Sequence, residues 1–190
     1  MYKCICIKRK IGESSVSFTP TFMIESIFNI DADQLKQLDI KNILTDLDNT
    51  LLPWNDKRAT DELKHWLAHL TQAGIKVIVV SNNNHQRVKL ALKDIDVPFI
   101  SRALKPTTKG IRHAIQQFNL RPSETVMVGD QLMTDIFAGN AAGIRTVLVK
   151  PLVATDGWNT SINRFLEQFI FMKLRYQNGP LIWHQKLTDR

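Results

Sequence analysis

Cysteine is nearly absent from this 190-residue chain: Cys4 and Cys6, both at its start, are the only two. That excludes a disulfide scaffold and a cysteine-based zinc site, and it fits a reducing cytosol. Long apolar runs are missing too. The longest, such as the one within Ile75 to Val80, fall far short of the ~20 residues that span a bilayer. Met1 to Lys10 is basic but lacks the apolar segment of ~7–15 residues that a secretory signal needs. No internal repeat or low-complexity tract occurs. The chain does have enough apolar surface for a core, with 44% hydrophobic and 23% charged residues, so disorder is not expected. Its length suits one compact domain.

Acids are outnumbered. Lys and Arg total 25 against 18 Asp and Glu, a net charge of +7. Most of the excess lies in residues 41–150, with fifteen basic and ten acidic side chains. Such a balance favours anionic partners without choosing among phosphates, nucleic acid and a membrane surface. It reads either as a solvated basic face or as a positive rim around an acidic, metal-filled pocket.

Residues 1–20 read as a flexible N-terminal arm, with Lys8-Arg9-Lys10, Gly12, Ser14-Ser15 and Pro20 and no sustained period. Phe22 to Leu38 is a short amphipathic stretch. From Ile43 onward strands and helices alternate. Strands are predicted at Ile43–Leu47, Ile75–Val80, Val97–Ile100, Thr125–Val128 and Ile144–Val149. Helices are predicted at Asp61–Ala73, His85–Lys93, Thr107–Asn119 and Leu132–Ala142. In the first of these helices Leu63, Trp66, Leu67 and Leu70 share one face; Gly74 stops it. The alternation implies an α/β fold, a Rossmann-like parallel sheet with helices on both faces. Ligands of such sheets bind beyond the carboxyl ends of the strands.

The strand ends carry the chemistry. The first is followed by Asp46-Leu47-Asp48-Asn49-Thr50, the second by Ser81-Asn82-Asn83, the third by Lys105-Pro106, and the fourth by Gly129-Asp130 through Asp135. Asp46 and Asp48, two apart, would share one face of a regular strand. One carboxylate can attack phosphorus while the other handles a proton. Crowded carboxylates suit a hard cation such as Mg²⁺. Lys105 adds a fixed positive charge, Ser81 can bond a phosphoryl oxygen, Asp130 would complete the metal site, and Asp135 would stand beside it. Each signal alone has a plain reading: a turn, a helix cap, a surface charge. Together, in order, each after its own strand, they point to catalysis.

These residues resemble the four motifs of the haloacid-dehalogenase superfamily of phosphohydrolases. The wider match, over roughly residues 20–175, is similar to its YqeG-type branch, subfamily IIIA, and to phosphatidylglycerophosphate phosphatases. The resemblance implies Asp46 as nucleophile and Asp48 as general acid/base. It implies Ser81, Asn82 and Lys105 at the phosphate. Mg²⁺ would be held by Asp46, the Asp48 backbone carbonyl and Asp130. It also implies a phosphorylated substrate, with a phospholipid headgroup met by peripheral contact at the inner membrane face as the expected form. Nucleic acid is not expected as a partner, because no aromatic-basic motif accompanies the arm. Only 33 residues separate Asp48 from Ser81 and 24 separate Ser81 from Lys105. Neither gap can hold a cap domain, so an open site is expected. The domain is read as residues 21–175, with 176–190 as a C-terminal tail. Soluble phosphoesters, or a binding role without turnover, are the alternatives.

Further features are weighed against packing. Ile162, Phe165, Leu166, Phe169 and Met172 recur at helical spacing, as a helix against the sheet or on a membrane interface. Trp54, Trp158 and Trp183 could anchor at an interface or cover a core edge. Trp54, four residues after Thr50, is expected to line the pocket mouth.

Overall fold

The computed structural model describes residues 17–54, 59–153 and 161–189. Six strands form one parallel sheet: β1 Phe22–Ile24, β2 Asn42–Thr45, β3 Lys76–Val80, β4 Phe99–Ile100, β5 Thr125–Gly129 and β6 Arg145–Val149. Their order across the sheet is β1-β6-β5-β2-β3-β4. β2 lies at the centre, paired in parallel with β3 and β5. The strands are rich in Val and Ile because both faces are covered.

The period of two along each strand separates two cores. Ile43, Val77, Val79, Val126 and Val128 face one layer, built from α1 (Ala32–Gln37), α2 (Asp61–Gln72) and α3 (His85–Ala91). Leu44, Ile78, Val80 and Met127 face the other, built from α4 (Lys109–Gln117) and α5 (Phe137–Ala141). Thr60 caps α2 by accepting from Leu63 N. Leu63, Trp66, Leu67 and Leu70 are buried as their spacing predicts. Trp66 Nε1 donates to Ile30 O at 2.8 Å, which satisfies the indole's one polar group.

Several expectations change. β1 is a strand that the sequence pattern hides: three residues are too few to show a period, and pairing with β6 creates it. The predicted helix at Leu132–Ala142 begins as a π-helical turn, Leu132–Ile136. Of residues 176–190, read as a tail beyond the domain, the described part returns to the sheet. His184 pairs with Ile24, and Leu187 is buried, its N–H donating to Gln34. Within the expected arm, Ser17 and Thr19 lend their carbonyls to Asn140 Nδ2; residues 1–16 lie outside the described residues. A last helix, α6, spans Ser161–Asn178. It packs through Ile170, Phe171 and Leu174, whereas Phe169 and Met172, expected on the packed face, are exposed. Leu181 and Trp183 continue that cluster, so Trp183 covers a core edge. Trp158 lies outside the described residues. No helix among the described residues is long and apolar enough to cross a membrane.

Among the described residues, only α2 stands between β2 and β3, and only α3 between β3 and β4. No further element among the described residues is inserted at these two junctions.

Candidate active site

The site forms where β2, β3 and β5 end. Asp46 extends the central ladder by one bond, donating from its N–H to Val128 O at 2.9 Å. The strand then gives way to a tight turn, in which Leu47 O accepts from both Leu51 N and Leu52 N. The two acids therefore do not keep strand parity. The Asp46 carboxylate turns to Lys105, whose Nζ donates to it at 2.6 Å. The Asp48 carboxylate turns elsewhere: it accepts from Asn83 Nδ2 at 2.6 Å and from Arg87 Nη2 at 2.8 Å. The expected shared face is thus corrected by the turn.

Lys105 is the centre of the site. Its Nζ also donates to Asp135 at 2.6 Å, and the side chains of Lys105 and Asp135 are 2% and 1% exposed. Burial alone would drive the Lys105 proton off, but the carboxylates of Asp135 and Asp46 outweigh it and raise the pKa. The ammonium is therefore a permanent charge. Asp135 is pushed up to about 6, by burial first, with Lys105 pulling it down and Asp46 pushing it up. Asp130 is raised well above the ordinary carboxylate range by burial and by the charges of Asp135 and Asp46, against hydrogen bonds from Thr50 Oγ1 and from its own backbone N–H.

Three carboxylates thus crowd together. Oxygens of Asp46, Asp130 and Asp135 lie within 4.8 Å of one another. One ammonium does not balance them. This donor set fits a divalent cation, which favours carboxylate oxygen. Both oxygens of Asp135 are already engaged, by Lys105 and by the N–H of Gln131. The π-helical turn and Gly129 make room for it: a Cβ at Gly129 would lie 2.3 Å from Asp135 Cγ.

Ser81 is buried at the end of β3. It does not cap α3; Asn84 does, accepting from Arg87 N. Ser81 Oγ accepts from the backbone N–H and the Nδ2 of Asn83, which leaves its own proton to donate. Asn82, expected at the phosphate, commits both ends of its carboxamide to Lys105: Nδ2 donates to Lys105 O, and Oδ1 accepts from Lys105 N. Its side chain sets the Lys105 loop. Asn49, Arg102 and Leu104, in the loops of this edge, adopt left-handed backbone. That costs roughly 1 kcal/mol or more for each, and such strain persists where surrounding bonds over-determine it.

The sequence profile of the haloacid dehalogenase-like hydrolases matches residues 19–143. The chain belongs to this family. It is 40% identical over 168 residues to the "Probable phosphatase YqeG" of Bacillus subtilis (strain 168), covering 88% of this chain and 97% of that one. A weaker match, 26% identical over 142 residues, joins it to phosphatidylglycerophosphate phosphatase 1 of Arabidopsis thaliana, across 70% of this chain and 41% of that one. Among solved structures, a protein from Listeria monocytogenes serotype 4b shares the fold, with a TM-score of 0.50 at 17% identity, over 70% of this chain and 99% of that one. The protein is a haloacid dehalogenase-type phosphatase. Two polar residues of this phosphatase's site received no role from the sequence, although Asn83 stands in the Ser81-Asn82-Asn83 run. Arg87 meets Asp48 across 39 residues, and Asn83 meets it across 35. A position in the first turn after Ser81-Asn82-Asn83 was the one hint for Arg87.

Proposed function

We propose that this phosphatase hydrolyses phosphomonoesters through an aspartyl-phosphate on Asp46, with Mg²⁺ as its cation. The observation that carries the reading is the Lys105 ammonium tying Asp46 to Asp135 beside Asp130. Asp46 and Asp130 would hold the ion, with the Asp48 carbonyl, and Asp135 would stand behind them. When bound, Mg²⁺ supplies charge that draws the phosphoryl group against the carboxylates and polarises it.

An Asp46 oxygen attacks phosphorus as the ester P–O bond breaks. Asp48 gives its proton to the leaving alkoxide. Water then attacks the same phosphorus, Asp48 takes the proton back, and the Asp46–phosphorus bond breaks to release phosphate. Lys105 keeps the Asp46 carboxylate aimed and steadies charge on the phosphoryl oxygens. The Ser81 hydroxyl donates to one of these oxygens.

We infer that the substrate is phosphatidylglycerophosphate, met by peripheral contact with the inner face of a membrane. Support comes from the weaker likeness to phosphatidylglycerophosphate phosphatases, from the open strand edge, and from the +7 charge. The test is Mg²⁺-dependent phosphate release from this lipid in mixed micelles, beside glycerol phosphate, sugar phosphates and nucleotides. Asp46→Asn should lower turnover by about 10⁴-fold or more, as loss of a covalent nucleophile does, with the thermal transition kept. Wild-type turnover in that variant refutes the covalent route, and preference for a soluble ester refutes the lipid.

A further inference from the structure

Asp48 is held away from the work assigned to it. Its two carboxylate oxygens accept from Arg87 Nη2 and from Asn83 Nδ2. To protonate a leaving oxygen beside Asp46 it must give up these donors. Arg87 is built to hold on: Asn84 accepts its backbone N–H and fixes the first turn of α3, and its Nη2 also donates to Trp54 O at 2.9 Å. Nη2 makes both contacts. Nε and Nη1 make no bond among the described residues. The ion pair sits at the rim, with the side chains of Arg87 and Asp48 24% and 29% exposed, so a ligand can reach it.

We propose that Arg87 binds a second phosphate group of the substrate, and that this exchange releases Asp48 for catalysis. The proposal rests on the reading of Asp48 as the proton-transfer group. A half-buried guanidinium does not surrender a carboxylate without another anion. A phosphate or phosphodiester can take two of its N–H groups in parallel, a better match than the single-nitrogen contact to Asp48. The exchange therefore favours substrates with one phosphate at Asp46 and another a few bonds away. Because it frees a catalytic group, it raises kcat as well as lowering KM. The second phosphate can be the phosphodiester of a lipid headgroup or a phosphate of a soluble bisphosphate.

The experiment compares wild type with Arg87→Ala and Arg87→Lys on four substrates. Glycerol 3-phosphate has one phosphate and an alkoxide leaving group. Glycerophosphoglycerophosphate adds a phosphodiester without acyl chains. Phosphatidylglycerophosphate in mixed micelles adds the lipid, and fructose 1,6-bisphosphate is the soluble bisphosphate. Arg87→Ala should lower kcat/KM at least tenfold on glycerophosphoglycerophosphate and on the lipid, with part of the loss in kcat. On glycerol 3-phosphate its kcat should rise at least twofold, because Asp48 then loses its ion pair and is held by Asn83 alone. Arg87→Lys keeps the charge and loses the fork, and should show the same opposite signs at smaller size, so a poorly folded alanine variant does not end the test. Loss on fructose 1,6-bisphosphate in place of the diesters supports the exchange and assigns it to soluble substrates. Equal losses on all four substrates mean that Arg87 only supports the turn, and overturn the proposal. Loss confined to the micelles makes Arg87 a surface contact and overturns it too. Failure of the catalytic reading looks different: wild type then turns over none of them, and both readings fall.

Discussion

Replacing Lys105 with Met removes the one ammonium from a cluster of three carboxylates and keeps most of its volume. In the native site Nζ lies 2.6 Å from both Asp46 and Asp135, almost wholly shielded from water. Without it, Asp135 keeps only the Gln131 N–H. Breaking a buried pair from one side costs about 3–5 kcal/mol. For a domain of this size each kcal/mol moves Tm by roughly 2–4 °C, so Tm of the metal-free protein should fall by roughly 6–20 °C at pH 7.5. The double variant Lys105→Met/Asp135→Asn removes both charges. Its loss should be smaller than the sum of the single losses by about 2 kcal/mol. The pH dependence has a definite sign. Asp135 is raised to about 6 in the folded protein, and its pKa must climb further once Lys105 is gone. A raised carboxyl contributes stability that is present below its unfolded pKa, near 4, and lost as pH rises through the folded value. The gap between Lys105→Met and wild type should therefore narrow as pH falls from 7.5 toward 5. Urea and thermal unfolding in EDTA measure the whole cycle. An additive cycle with the same gap at both pH values refutes the reasoning.

Three shorter predictions concern the same site. Gly129→Ala places a methyl 2.3 Å from Asp135 Cγ; it should cost about 1–3 kcal/mol and lower turnover roughly tenfold or more through displacement of Asp135. Native stability and turnover in that variant would show that the close approach does not matter. A divalent ion must displace protons from Asp130 and Asp135, both raised, so the rise in Tm on adding Mg²⁺ should be larger at pH 7.5 than at pH 5, and equal shifts refute it. Asn82→Ala loses two bonds to the Lys105 backbone; it should cost about 2 kcal/mol and lower kcat roughly tenfold through a displaced ammonium, which unfolding beside steady-state kinetics reads.

The legible parts of this protein were those with a local period. Val77 to Val80 and Val126 to Val128 are unbroken apolar runs because helices cover both faces of the sheet. Leu63, Trp66, Leu67 and Leu70 mark a helix face by spacing alone. β1 was not legible, since Phe22–Ile24 becomes a strand only by pairing with β6. In α6 the apolar residues lie on more than one side, so spacing could not say that Leu174 goes inward while Met172 stays out. The docking of His184 on Ile24 likewise joins segments 160 residues apart.

The sequence by itself determined which chemical groups stand at the strand ends: Asp46, Asp48, Ser81, Lys105, Asp130 and Asp135 follow their strands in order, because strand and helix lengths are fixed by local pattern. Tertiary structure decided which group each one meets. Lys105 joins Asp46 to Asp135, Asn82 serves the Lys105 backbone, and Arg87 holds Asp48. Such pairings depend on separations under 3 Å and on how much water is excluded around them. Neither quantity exists until the chain has folded.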